Sequence, residues 1–235
     1  FDMDKNLIFE IIFKKIHSYL SSPNLFDIDN DIIKTQCDSF FVETLKKTMD
    51  PNIVGFISKK SQCLILVKSL DYIRNNDNNI IVVFNACDGI SNFKNNSNLG
   101  SIYGLYKYDV STKTINIVNS GYCCYGIHTY YVYTENNNTI LSVLDIDKKF
   151  RKLKNILLNT SYDKNIYSLN QSYDYNTEIS FLINQYRKKN YNMRYTGTLV
   201  GDAHRILCNG GIFFYLDKKQ NENNKTMFLY DALPL

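Results

Sequence analysis

The run Ile80-Ile81-Val82-Val83-Phe84 is apolar throughout and leads directly into the polar Asn85. A strand with one wet face alternates apolar and polar residues, so an unbroken short run predicts a strand covered on both faces. That requires layers above and below a sheet. Leu7, Ile8, Ile11, Ile12, Ile16 and Leu20 recur at helical spacing with Lys5, Glu10 and Lys14 off that face, which predicts an amphipathic first helix. After a polar break from Pro23 to Asn30, a second helix is expected to carry Asp38 and Glu43. It should stop before Asp50-Pro51, because the residue preceding a proline is pushed out of helical geometry.

Short apolar runs at Ile53 to Ile57 and Cys63 to Val67 read as further strands, as do Ser101 to Tyr108, Tyr122 to Thr134 and Ile140 to Ile146. Helices are predicted over Thr177 to Lys189 and Leu199 to Cys208, the second ended by Gly210-Gly211. This mixed order predicts an α/β (α+β layered) architecture of alternating helix and sheet layers. The polar stretches Arg74 to Asn79, Phe93 to Asn98 and Gln220 to Asn224 are the least ordered candidates.

The chain has 235 residues, 44% of them hydrophobic and 21% charged, enough for a substantial core. A net charge of +4 without a long Lys/Arg run argues against nucleic acid as the main partner. No apolar run reaches the roughly 20 residues of a membrane span, and Phe1 to Leu20 lacks the layout of a signal peptide. A soluble protein of an intracellular reducing compartment, cytoplasm or organelle matrix, is the expectation. The six cysteines, Cys37, Cys63, Cys87, Cys123, Cys124 and Cys208, fall in apolar surroundings without metal-ligand spacing and read as buried reduced thiols. The Asn clusters read as solvent loops.

Several segments together resemble one family. Gly100-Ser101-Ile102-Tyr103-Gly104-Leu105-Tyr106, Gly121-Tyr122-Cys123-Cys124-Tyr125-Gly126, Ile166-Tyr167-Ser168-Leu169-Asn170 and the long stretch Arg194 to Tyr215 occur in the order of the class I fructose-1,6-bisphosphatases. Leu182 to Gly197 also resembles the related sedoheptulose-1,7-bisphosphatases. The resemblance runs from about Ile32 to Leu235 and implies the sugar-phosphatase fold, with residues 1–160 as an N-terminal half holding the metal motif and 161–235 as a sugar-phosphate-binding half. The family continues beyond the position of Pro234-Leu235, so the expectation is a truncated C-terminal half, with a sheet edge left for a partner.

In active relatives, carboxylates hold Mg²⁺ ions that polarise the 1-phosphate and activate a water. The family's Asp-Pro-Leu-Asp-Gly-Ser-Ser-Asn motif here resembles Asn85-Ala86-Cys87-Asp88-Gly89-Ile90-Ser91-Asn92, and its Val-Ser-Glu-Glu resembles Ile57-Ser58-Lys59-Lys60. Lys59, Lys60 and Asn85 thus replace family acids. Asp88 and Asp231 are remnants of the metal set, and Asp38 and Asp88 are vestigial catalytic positions. At about 4 Å a unit charge is worth ~4 kcal/mol at an effective dielectric of 20, so a lysine in place of a bridging glutamate opposes a divalent ion severely. A shifted loop with Asp71 or Asp77 as substitute carboxylate is the competing alignment.

The resemblance leaves the sugar pocket better preserved. It implies that Asn170, Tyr173, Tyr195 and Tyr215 bond a 6-phosphate, that Arg194 reaches a neighbouring subunit's site, and that Lys219 and Lys225 act as cationic donors, while Gly89 and Ile90 offer backbone N–H groups to the other phosphate. The arginine expected near the metal end is Met227, and Asn79-Ile80 replaces the Lys-Tyr pair used for AMP regulation, so no AMP response is expected. With 19 tyrosines, any single one serves packing more often than a ligand. For His204 and Arg205 the plainer reading is helix packing or an ion pair with Asp202, and His17 and His128 read as structural.

The expectation is therefore a fructose-1,6-bisphosphatase-like pseudoenzyme. It would act as a sugar-phosphate-binding or a structural subunit, as a homo-oligomer or within a larger hetero-complex. The alternative is an active Mg²⁺-dependent sugar bisphosphatase, with Mg²⁺ as cofactor only in that case.

Overall fold

The computed structural model describes residues 5–47, 50–136, 138–156, 165–170, 177–214 and 228–235. Its centre is an eight-stranded mixed sheet in the order β2-β1-β3-β4-β5-β6-β7-β8. The strands are β1 Ile53–Ser58, β2 Leu64–Leu66, β3 Asn79–Asp88, β4 Leu99–Asp109, β5 Thr114–Tyr125, β6 Tyr130–Glu135, β7 Asn138–Leu144 and β8 Phe150–Ile156. β1 and β3 run parallel, and every other pair in this sheet is antiparallel. The apolar run lies in β3, which is buried from Asn79 to Cys87, so both its faces are covered as its composition requires.

One cover is a pair of helices, α1 (Lys5–Leu20) and α2 (Asn30–Lys47). The face α1 buries is Ile8, Phe9, Ile12, Phe13 and Ile16, whereas Leu7 and Ile11 face outward. This corrects the sequence expectation, and the reason is aromatic volume. Phe9 stacks on Tyr103 of β4 with ring centroids 3.4 Å apart, and Phe13 meets Tyr131 of β6 edge-on at 5.1 Å. Two large rings on successive turns bury more area than the aliphatic pair they displace. Phe41 of α2 continues the layer by stacking on Phe84 of β3.

The opposite face is covered by α5 (Leu199–Asn209) and by a π-helical turn, Phe228–Ala232. Thr198 caps α5, its hydroxyl accepting from the Gly201 N–H at 3.0 Å. Val200 of α5 lies on Gly100 of β4 so closely that a Cβ there would sit 2.5 Å from the valine side chain, so that landmark glycine is a packing requirement. Tyr106 of β4 donates to the Leu229 carbonyl at 2.8 Å and pins the C-terminal turn. A second, three-stranded parallel sheet, order β10-β9-β11, joins β9 Ile166–Ser168, β10 Asn192–Met193 and β11 Ile212–Phe213, and α4 (Thr177–Lys188) packs Ile183 against Tyr167 and Leu169.

Other expectations change in detail. The run Tyr122 to Thr134 is divided between β5 and β6 by a turn at Gly126, and β8 carried too many lysines to be read as a strand. The polar stretch after Arg74 follows a short helix, α3 (Leu70–Arg74), and ends in a buried Asn79, whose amide donates at 2.8 Å to the carbonyls of Ile73 and Asn76. Part of Phe93 to Asn98 forms the end of the 3-10 helix Ile90–Asn95. Gln220 to Asn224 lies outside the described residues. Cys37, Cys87, Cys123 and Cys124 are buried and Cys208 is half-buried, whereas Cys63, just before β2, is exposed, which corrects the expectation that all six thiols are buried. No helix among the described residues is long and apolar enough to cross a membrane.

Candidate functional site

The ends of β1 and β3 meet the C-terminal turn at one point. β1 and β3 are parallel, so Ser58 and Phe84 are register partners, and the Lys59 N–H continues the ladder by donating to the Phe84 carbonyl at 2.8 Å. Lys59 and Asn85 therefore leave the sheet side by side. Between them lies Asp231, fully buried, its Oδ2 accepting from Lys59 Nζ at 2.5 Å and its Oδ1 from Asn85 Nδ2 at 2.8 Å. The Lys59 side chain is 28% exposed, whereas that of Asp231 is not exposed at all.

Asp88 follows a register shift in the β3/β4 ladder between Asn85 and Asp88, an irregularity of the kind that re-aims side chains near sites. Its Oδ2 accepts from the Val200 N–H at 3.1 Å, in the first turn of α5. Burial pushes the Asp88 carboxyl up to about 6; the Val200 N–H opposes this, the Asp231 charge adds to it, and Lys59 and the Leu199 N–H lower it. Gly89 then turns the chain at φ 74, where a Cβ would lie 2.1 Å from the Thr198 methyl, so only glycine fits. Ile90 opens the following 3-10 helix, and Asn92 ties that helix to the approach to α5 by donating to the Thr196 carbonyl at 2.8 Å.

A second cluster surrounds Asp38 on α2. Ser58 donates its hydroxyl to Asp38 Oδ1 and accepts at 3.0 Å from the Lys60 N–H, while Lys60 Nζ donates to Thr35. Burial raises the Asp38 carboxyl above its ordinary value, opposed by the Ser58 hydrogen bond and by the Lys60 charge.

Every carboxylate of this region is thus already served by an internal donor. A divalent cation needs oxygen ligands carrying negative charge, and Asn85 turns an N–H₂ rather than an oxygen toward Asp231. Among the described residues no three His, Cys, Asp or Glu side chains converge as a metal set. As arranged, these residues do not fit a Mg²⁺ ion. The substitute carboxylates of the competing alignment stand elsewhere, with Asp77 exposed and Asp71, also exposed, paired with Arg74 at 3.7 Å.

Of the sugar-phosphate set, Asn170 follows β9 and Arg194 and Tyr195 follow β10 on the neighbouring strand, so the small sheet presents them at the same ends of parallel strands. The Arg194 guanidinium is exposed and donates to its neighbour's carbonyl at Met193, 3.1 Å away. Tyr173, Tyr215, Lys219, Lys225 and Met227 lie outside the described residues. Arg205 pairs with Asp202 at 3.0 Å, and Asp202 also accepts from the Thr196 N–H, so that pair holds the turn before α5. His204 stacks on Tyr130 and shares a 2.9 Å hydrogen bond with Tyr122, and His17 meets Thr129 at 2.9 Å, both packing arrangements. An apolar cavity of about 230 Å³ between α5 and Leu235, lined by Leu207 and Phe213, lacks polar groups for a phosphate.

Sequence reasoning located Lys59, Asn85 and Asp231 separately but missed that they form one unit. It also missed Ser58 as the donor to Asp38. The signal lay in the exchange of an acid for a lysine while a buried acid distant in sequence was retained, which is a charge complement waiting for a contact.

A two-helix layer, a mixed sheet and a C-terminal turn carrying the last acid define a sugar-phosphatase scaffold. The crystal structure of Leishmania major fructose-1,6-bisphosphatase in holo form matches this fold with a TM-score of 0.80 over 97% of this chain and 77% of that one, at 24% identity. The family profile described as Fructose-1-6-bisphosphatase, C-terminal domain, matches residues 160–235. A Pseudoalteromonas translucida protein named Fructose-1,6-bisphosphatase class 1 1 is 30% identical over 232 residues, covering 81% of this chain and 72% of its own. A second from that organism, Fructose-1,6-bisphosphatase class 1 3, is 29% identical over 217 residues, and the match spans 84% of this chain but only 65% of the relative. The chain belongs to the class 1 fructose-1,6-bisphosphatase family.

Proposed function

We propose that this family member no longer hydrolyses a sugar bisphosphate, and that it binds a sugar phosphate through its C-terminal half, residues 161–235, while the half formed by residues 1–160 keeps only a remnant of the metal centre. The observation that carries the reading is the Lys59 ammonium on the buried Asp231, with Asn85 closing the other carboxylate oxygen. Metal-assisted hydrolysis needs a bound water made nucleophilic by a dication, and an ammonium supplies charge without a coordination site for that water. Asp38 and Asp88 are each bonded to an internal donor, which supports reading them as vestiges of catalytic acids. A homo-oligomer or a place in a larger complex belongs to the same reading, supported by the exposed Arg194, whose fork suits a phosphate held in a neighbouring subunit.

The test is phosphate release from fructose 1,6-bisphosphate and sedoheptulose 1,7-bisphosphate, with Mg²⁺ and with chelator, beside the variant Lys59→Glu/Lys60→Glu/Asn85→Asp. No release from the native protein together with Mg²⁺-dependent release from the variant is the expected result. Chelator-sensitive turnover by the native protein would overturn the reading, since the relatives named above carry the names of bisphosphatases.

A further inference from the structure

Lys59 has more to offer than neutrality. An ammonium has three N–H donors, and among the described residues the only acceptor it meets is Asp231 Oδ2. Its side chain is 28% exposed, and its charge acts on the Asp88 carboxyl next to the Gly89 turn. A tethered cation that needs no ligand sphere can meet an anion directly, where a metal would have to be recruited first. We propose that Lys59 is a built-in cation that binds one phosphate of a sugar bisphosphate without any divalent metal, drawing on the same ammonium that holds Asp231. This rests on the reading that the C-terminal half binds a sugar phosphate, and adds a second phosphate contact and its metal independence.

Competition sets the expected behaviour. Asp231 occupies part of the Lys59 charge, so an incoming phosphate shares the ammonium with it. Removing the carboxylate charge while keeping its shape, Asp231→Asn, should free the ammonium and tighten phosphate binding. Removing the ammonium, Lys59→Met, should weaken it. A purely structural ion pair predicts no such opposition, because either variant would only loosen the fold.

The experiment is calorimetric titration of the full chain with fructose 6-phosphate and with fructose 1,6-bisphosphate, each in chelator and in Mg²⁺. The bisphosphate should bind at least about tenfold tighter than the monophosphate in chelator, the size of one charge-assisted contact. Mg²⁺ should not improve it. Lys59→Met should erase the difference, Lys59→Arg should keep most of it and Asp231→Asn should enlarge it, with monophosphate affinity unchanged in all three as the control for folding. A bisphosphate advantage that appears only with Mg²⁺, or that survives Lys59→Met, overturns the proposal while leaving the sugar-phosphate reading intact. Failure of the native chain to bind the monophosphate at all overturns the reading beneath it.

Discussion

Lys59→Met is the substitution whose cost follows most directly from the geometry. Methionine keeps most of the unbranched length of the side chain but deletes the charge facing a carboxylate with no exposed surface. Breaking one partner of a buried pair costs about 3–5 kcal/mol, because the other charge is stranded in a poorly solvating interior. Two features reduce that figure here. The lysine itself is partly exposed, so less of the interaction escapes solvent screening, and Asn85 still donates to Asp231. The expectation is about 2–4 kcal/mol, which for a chain of this size lowers the melting temperature by about 5–15 °C. Denaturant unfolding followed by circular dichroism reads it, with the double variant Lys59→Met/Asp231→Asn as the decisive comparison. That double variant has no stranded charge, and it should recover much of the loss, giving a coupling energy of at least ~1 kcal/mol. A single-variant loss below about 0.5 kcal/mol, or strict additivity of the two changes, would show that the pair contributes nothing to the folded state and would refute the reasoning from burial.

Two further outcomes follow from neighbouring contacts. Asp88 is held up to about 6 by burial, above its ordinary 3.8, so the folded state binds a proton there more tightly than the unfolded chain does. Its contribution to stability is therefore largest below pH 4 and declines as pH rises through the window from about 4 to 6. Asp88→Asn should remove that slope, a difference of order 2–3 kcal/mol across the window, read from denaturation midpoints at a series of pH values. Gly100→Ala should force Val200 and the first turn of α5 away from β4 and cost about 1–3 kcal/mol by overpacking, and Gly100→Ala/Val200→Ala should regain part of it in the same unfolding assay.

The parts of this molecule legible in its sequence are those fixed by local pattern. The all-apolar run gave β3, helical periodicity gave α1, the polar break after Pro23 and the Asp50-Pro51 stop bracketed α2, the ranges read for α4 and α5 hold to within a few residues, and Gly210 marked the end of α5. Where the pattern misled, packing decided. Leu7 and Ile11 have the same periodicity as Ile8 and Ile12, and rings distant in sequence, Tyr103 and Tyr131 on the sheet and Phe41 on α2, select the face carrying Phe9 and Phe13. β8 escaped notice because its lysines and arginine mark an outer strand, whose polar character guards an edge and conceals the strand from an apolar count.

The candidate site shows the same division at the level of charge. Lys59, Asn85 and Asp231 could each be singled out against the acid-rich pattern of the family, and read singly they describe only loss. Their meaning depends on a contact spanning 172 positions, made because β1 and β3 are parallel and end together beneath the C-terminal turn. Once joined, the changes are no longer independent. With lysine at 59, a second acid at 85 would restore a negative charge beside Asp231, whereas the asparagine amide satisfies that carboxylate without one. Reverting Asn85 alone leaves the ammonium opposed to a dication, and reverting Lys59 alone leaves the site one carboxylate short, so activity restored by the combined variant should not be obtained from Lys59→Glu or Asn85→Asp alone.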